Sequence, residues 1–281
     1  MKRKVVGIAV LLLPVMLLAA CGEVSGPDAD TGSREETQQV STVESTEPSE
    51  AVKESEVPVV KEEPQEAFKV DFTEGRPSNY EVADGWCNGS MFNVTWRKTN
   101  VTFKDGRMQL VIDKDVTPAN GVPYSGGEFR SRKFYGYGRY EVSMKAIKND
   151  GVVASFFTYT GPSDNNPWDE IDIEILGKDP TKVQFNYFTN GKGEHEYVYE
   201  LGYDASQEFH TYAFEWYKDK IIWFVDGTEV HRATESIPVT RGKIMMNAWC
   251  GTGVDGWLKA FDDANVPLTA EYQWFSFTPF E

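Results

Sequence analysis

The run Trp168-Asp169-Glu170-Ile171-Asp172-Ile173-Glu174-Ile175-Leu176-Gly177 holds the residues best able to do chemistry. Acidic and apolar residues alternate in it. Read as a β-strand, it puts Glu170, Asp172 and Glu174 on one face and Ile171, Ile173 and Ile175 on the other. Crowded like charges raise the pKa of at least one carboxyl, leaving a protonated acid beside an ionised carboxylate near neutral pH. Cleavage of a glycosidic bond with retention uses such a pair. One acid protonates the leaving oxygen and one carboxylate attacks the anomeric carbon, with the two roughly 5–5.5 Å apart. Strand residues two apart have Cα atoms about 6.6 Å apart, and those four apart about 13 Å. Glu170 with Asp172, or Asp172 with Glu174, meets the separation directly. Glu170 with Glu174 meets it only if both side chains lean over Asp172, so spacing alone does not choose the pair. A cation site is a second use of such a face, because hard cations favour several carboxylate oxygens. A solvated acidic surface is the third. It is the weakest reading, since acidic residues are poor strand formers and like charges on one face cost stability.

The surroundings favour a sugar. Trp86, Trp96, Trp168, Trp249 and Trp257 exceed what a core of this size requires, and Trp168 adjoins the acidic run. Aromatic faces combined with Asn and Arg donors suit a flat, hydroxylated ring. Other chemistries find little support. His195, His210 and His231 lie at no zinc spacing. A Gly-x-Ser-x-Gly elbow is absent from the sequence, and Gly136-Tyr137-Gly138 lacks the third glycine of a dinucleotide site.

The elements that must position these residues read as strands. Tyr140, Val142 and Met144 alternate with Glu141, Ser143 and Lys145; Val183, Phe185 and Tyr187 alternate with Gln184, Asn186 and Phe188. Phe209–Tyr217 and Lys220–Val225 are aromatic-rich runs. Asp226-Gly227 then predicts a two-residue hairpin turn. Sustained helical periodicity is missing. The expectation is an all-β jelly-roll sandwich of two antiparallel sheets. Cys87 and Cys250 set no disulfide framework and no metal spacing, and are read as either one bridge or two buried thiols.

Two segments precede that domain. In 1–20, Lys2, Arg3 and Lys4 lead into the apolar run Val5–Leu18, followed by Ala19 and Ala20; this predicts a secretory signal peptide. Leu18-Ala19-Ala20-Cys21 resembles the bacterial lipobox, which implies lipidation at Cys21 and anchorage to the outer face of the bacterial cell membrane. Ordinary secretion with an incidental cysteine is the alternative. Segment 22–66 has thirteen acidic and three basic residues and no aromatic residue, so it predicts a disordered, self-repelling spacer behind Cys21. The remaining domain, 67–281, has a net charge of −9 and no basic run, which argues against nucleic acid as a partner. A monomer is expected.

At this point a family resemblance is clear. Trp168–Gly177 resembles the active-site strand of glycoside hydrolase family 16, and of its bacterial lichenases in particular. Met91-Phe92-Asn93 with Thr95-Trp96-Arg97, Tyr135–Gly138, Ser155–Gly161, Lys182–Tyr187, Gly242–Asn247 and Gly251–Asp255 resemble lichenase segments in order, so the likeness spans Phe68–Phe277. It implies a concanavalin A-like jelly roll and a retaining endo-hydrolase of mixed-linkage β-1,3-1,4-glucan. By position it implies Glu170 as nucleophile, Glu174 as acid/base and Asp172 as the residue that orients the nucleophile. It further implies glucosyl contacts from Asn88, Glu128, Arg130, Phe157, Tyr159, Trp168, Asn186, Asn247, Trp249 and Trp257. The unbulged Asp172-Ile173-Glu174 matches lichenases rather than β-1,3-glucanases, which insert one residue there. Three departures stand out. Val94 and Gly126 replace the usual cysteine pair, for which Cys87 and Cys250 are a candidate substitute. Phe188 replaces a cleft tyrosine. Gln273 replaces an aspartate ligand of the family's structural calcium, which weakens the case for calcium; no other cofactor is implied. A β-1,3-glucanase on the same scaffold and a non-catalytic glucan-binding lipoprotein are the competing readings.

Overall fold

The computed structural model describes residues 64–119 and 121–280. The predicted signal peptide, Cys21 and the spacer as far as residue 63 lie outside the described residues. Gln65 is already tied to the domain: its amide donates to Phe134 O at 2.9 Å and accepts from Gly136 N at 3.0 Å.

The described chain folds almost wholly into strands. In chain order these are β1 (Phe68–Asp71), β2 (Tyr80–Val82), β3 (Val94–Trp96), β4 (Val101–Lys104), β5 (Arg107–Ala119), β6 (Val122–Tyr135), β7 (Gly138–Lys145) and β8 (Val152–Thr160). They continue with β9 (Asp169–Leu176), β10 (Lys182–Phe188), β11 (Tyr197–Glu200), β12 (His210–Trp216), β13 (Ile221–Val225), β14 (Thr228–Ala233), β15 (Gly242–Cys250) and β16 (Leu268–Pro279). One helical turn, α1 (Asp255–Leu258), follows β15.

Two sheets result. The front sheet runs β11-β10-β9-β8-β15-β6 and the back sheet runs β5-β16-β7-β12-β13-β14, with β5 and β6 paired to each other where the sheets meet. Every pairing is antiparallel except that of β3 with β6. The chain crosses between sheets from β5 to β6, from β6 to β7, from β7 to β8, from β11 to β12, from β14 to β15 and from β15 to β16. That alternation makes the predicted jelly-roll sandwich.

The isoleucine face of the acidic strand enters the core as the alternation predicts. Ile171, Ile173 and Ile175 are buried, together with Phe156, Phe185, Phe214 and Trp223. Phe185 of the front sheet stacks on Trp223 of the back sheet with centroids 5.6 Å apart, and Phe156 meets Phe214 at 6.1 Å. Two back-sheet donors also reach front-sheet carbonyls. Trp223 Nε1 donates to Asp172 O at 3.2 Å and Tyr272 Oη to Ser155 O at 2.9 Å. The back sheet therefore holds β8 and β9 by polar as well as apolar contacts.

The Asp226-Gly227 turn between β13 and β14 forms as expected, both residues lying at positive φ, 46° and 78°. A Cβ built on Gly227 meets nothing within 4 Å, so a substitution there costs conformational energy only. Gly227→Val is expected to lower stability by roughly 1–2 kcal/mol, and Gly227→Asn by clearly less, because asparagine tolerates the left-handed region. Urea unfolding checks this; equal losses for the two variants would contradict the backbone explanation.

Candidate active site

Strand β9 lies between β8 and β10, and its register lines residues up across the front sheet in rows. Glu170 faces Tyr159 on β8 and Phe188 on β10. Asp172 faces Phe157 and Asn186, and the row continues from Phe157 to Met245 on β15 and Arg130 on β6. Glu174 faces Ser155 and Gln184, with Asn247 and Glu128 beyond Ser155. A register shift between β15 and β6 brings Arg130 opposite Met245. The backbone N–H of Ile244, displaced from the ladder by that shift, donates to Ser131 Oγ at 2.9 Å.

Each carboxylate has its own partners. Trp168 Nε1 donates to Glu170 Oε2 at 2.5 Å, and the carboxyl groups of Glu170 and Asp172 are hydrogen-bonded to each other. Gln184 Nε2 donates to Glu174 Oε2 at 2.9 Å while Gln184 Oε1 accepts from Trp257 Nε1 at 3.1 Å. Asp169, on the isoleucine face by parity, is buried. Its carboxylate accepts three backbone N–H groups, those of Asn190 at 2.9 Å, Val239 at 3.0 Å and Thr240 at 2.9 Å.

Most residues named from the sequence come together here. Glu128, Arg130, Phe157, Tyr159, Asn186 and Asn247 share the carboxylate face of the front sheet; Ser155 Oγ donates to Asn247 Oδ1 at 2.6 Å. Trp168 is exposed and stacks on Phe188. Trp249 packs between Phe92 and Trp257, at centroid distances of 4.2 and 6.0 Å. Asn88 joins only indirectly: its Oδ1 accepts from Trp96 Nε1 at 2.9 Å, and Trp96 meets Phe92, which packs on Trp249. Of the other tryptophans, Trp96 is core, whereas Trp86 is exposed beneath the Arg130 guanidinium at 5.0 Å. Sequence reasoning missed Gln184, Ser155, Met245 and Asp169. Gln184 shares the parity of Asn186 on one strand, which is the signal that could have found it.

Comparisons with known proteins bear on this arrangement. The family description of glycosyl hydrolases family 16 matches residues 88–275. The chain is 58% identical to a β-glucanase of Paenibacillus polymyxa over 202 residues, 72% of this chain and 83% of that protein. This chain belongs to glycosyl hydrolases family 16. It is also 58% identical, over 211 residues, to a xylanase/β-glucanase of Ruminococcus flavefaciens, but spans 26% of that protein's length. Among solved structures, a β-1,3-1,4-glucanase (lichenase) from a mouse hindgut metagenome superposes with a TM-score of 0.74 at 53% identity, covering 77% of this chain and all of that one.

In this family 16 chain the cysteine exchange does not occur as a bridge. Cys87 and Cys250 are free thiols, each sulfur lying against a different backbone carbonyl, those of Phe92 and Asn93. Each thiol is thus satisfied where it stands. A Cβ built on Gly126 would lie 3.0 Å from Val94 Cγ2. Calcium does not fit at Gln273. That side chain is neutral, its amide oxygen accepts from Ser143 Oγ at 2.8 Å, and the residue sits where β16 bulges against β7. Among the described residues no three acidic, His or Cys side chains gather to hold a metal.

Burial dominates the electrostatics of the acidic row. It pushes Glu174 up to about 8, helped by the charges of Glu170 and Glu196 and opposed by the Gln184 hydrogen bond. Asp172 is raised well above the carboxylate range by burial and by its two glutamate neighbours. Glu128 is pushed up to about 7 by burial, against the pull of Arg130 and Asn247. A carboxyl whose pKa is higher folded than unfolded destabilises the fold as it ionises. Glu174→Gln is therefore expected to match the wild type at about pH 3, where the carboxyl is protonated in both states. It should gain roughly 1–3 kcal/mol as pH rises from about 4.3 to 8. Urea unfolding at both pH values checks this; a loss at pH 8 would contradict it.

Proposed function

We propose that this protein is a retaining endo-hydrolase of mixed-linkage β-1,3-1,4-glucan that cuts β-1,4 bonds next to β-1,3 bonds, with Glu170 as nucleophile and Glu174 as acid/base. One observation carries the assignment: the two glutamates share a face of β9 and burial raises both, but Glu170 has two donors where Glu174 has one, which leaves Glu170 at about 7 and Glu174 at about 8. Glu170 receives the Trp168 indole N–H and the carboxyl proton of Asp172, and both favour its ionised form. Asp172 keeps its proton and orients the nucleophile. Glu174, pushed up to about 8, is protonated near neutral pH.

The reaction follows from those states. Glu174 gives its proton to the glycosidic oxygen as a Glu170 carboxylate oxygen attacks the anomeric carbon, and the leaving chain departs as an alcohol. Glu174, now ionised, takes a proton from water. That water oxygen attacks the same carbon and frees Glu170. Tyr159, Phe157, Trp249, Trp257 and Trp168 offer ring faces to glucosyl units, and Asn88, Asn186, Asn247, Glu128 and Arg130 offer polar groups. The linkage preference is supported by the unbroken register of β9 with β8 and β10 through residues 172–174. It is supported too by the similar β-glucanases and by the similar structure of a β-1,3-1,4-glucanase (lichenase).

Product analysis on barley β-glucan, lichenan and laminarin tests the reading. Oligosaccharides from the first two are expected; activity on laminarin alone would overturn the linkage. Glu170→Gln should abolish hydrolysis, and unchanged sugar release would favour a binding module. Glu174→Ala should lose roughly 10²–10⁴-fold in turnover and recover in part with azide, which can attack the glycosyl-enzyme without a base.

We further propose that the protein acts as a monomer held to the outer face of the cell membrane by lipid on Cys21, with the predicted spacer ending before Gln65, which is bonded to the domain. The leader and the lipobox-like Leu18–Cys21 support this. Cys21→Ser should move the enzyme from the membrane fraction to the soluble fraction; retention in the membrane would sink the anchor.

A further inference from the structure

Phe188 stands directly opposite Glu170 in the β9–β10 register, and Trp168 lies two residues before Glu170. The Phe188 and Trp168 rings are stacked, with centroids 4.7 Å apart and planes 13° apart. Behind Phe188 runs the loop after β10. Its Gly191 N donates to Trp168 O at 2.8 Å, and its Gly193 lies close against the ring. A Cβ built on Gly193 would come within 2.5 Å of Phe188 Cε1. The phenyl ring is therefore wedged between loop backbone and indole. Trp168 is 37% exposed; besides the Glu170 carboxylate and the backbone at Gly191, Phe188 is the aromatic ring stacked on its indole.

We propose that Phe188 is a positioning residue: by stacking on Trp168 it holds the indole N–H on Glu170, and the absence of a side chain at 193 lets the ring sit there. The inference rests on the assignment of Glu170 as nucleophile only for its catalytic consequence. An exposed indole free to turn about two torsions would spend part of its time off the carboxylate. A stacked one keeps its donor in line, and a carboxylate with a steady donor stays ionised to lower pH. The other titratable groups facing Glu170 are Asp172 and Glu174 on its own strand, and Tyr159 on β8. Lys243, paired with Asp164, lies beyond Tyr159. Glu196, before β11, flanks Asp172 and Glu174. From β10, Phe188 is the residue opposite.

The test reads Glu170 without requiring turnover. Fluorescence that depends on Trp168, taken as wild type minus Trp168→Phe, is titrated with pH, and Glu170→Gln identifies the step belonging to Glu170. Phe188→Leu and Gly193→Ala should each raise that midpoint by about 0.5–1 pH unit, and Phe188→Tyr should leave it in place. On any glucan the wild type cleaves, the acid limb of kcat/KM should move up by the same amount in Phe188→Leu. It should move no further in Phe188→Leu combined with Trp168→Phe than in Trp168→Phe alone. An unmoved midpoint in Phe188→Leu, or limb shifts that add, would overturn the proposal. A midpoint that moves as expected in a protein that cleaves no glucan would leave it standing and sink the hydrolase reading instead.

Discussion

Three carboxyl groups on one face of a single strand, with three isoleucines beneath them, set the terms for everything else in this domain. Stacked like charges on a strand oppose its formation. The opposing weight is burial: the isoleucines sit between the sheets against Phe185, Phe214 and Trp223. A buried Ile contributes roughly 1.5–3 kcal/mol. The core thus holds β9 in a register that the acids alone would not choose.

Given that register, the neighbours divide the carboxyls into unlike groups. The backbone spacing is the same from Glu170 to Asp172 as from Asp172 to Glu174, so the strand alone treats them alike. The difference comes from donors. An indole and a carboxylic acid serve Glu170, and an amide serves Glu174. The amide is itself held by Trp257, on the turn after β15, and so ties the acid to the far side of the sheet. Function here lies in second contacts as much as in the acids themselves.

Much of this was legible in the chain before folding. Alternation in 169–176 marked the strand and its two faces, and Asp226-Gly227 marked a hairpin, because both are local rules. What could not be read depends on pairing between distant segments. Gln184 and Ser155 have ordinary parity on their own strands. Only the offset between β8, β9 and β10 puts them beside Glu174. Trp86 and Trp96 are the same residue type ten positions apart, yet packing exposes one and buries the other. Cys87 and Cys250 lie near each other's loops, but each thiol finds its own carbonyl rather than its fellow. Linear spacing holds no information on such choices.

Asp169 has a separate consequence. Its three partners are main-chain amides, from residues 190, 239 and 240. An amide is common to every amino acid save proline. Loops pinned in this way can drift in sequence, one residue at a time, while the ends that border β9 stay put. Evolution is thereby left free to rewrite what those loops present to a polymer, and a protein engineer could vary them with the same licence, avoiding proline at those three positions and branched side chains at Asn190, whose φ is 52°.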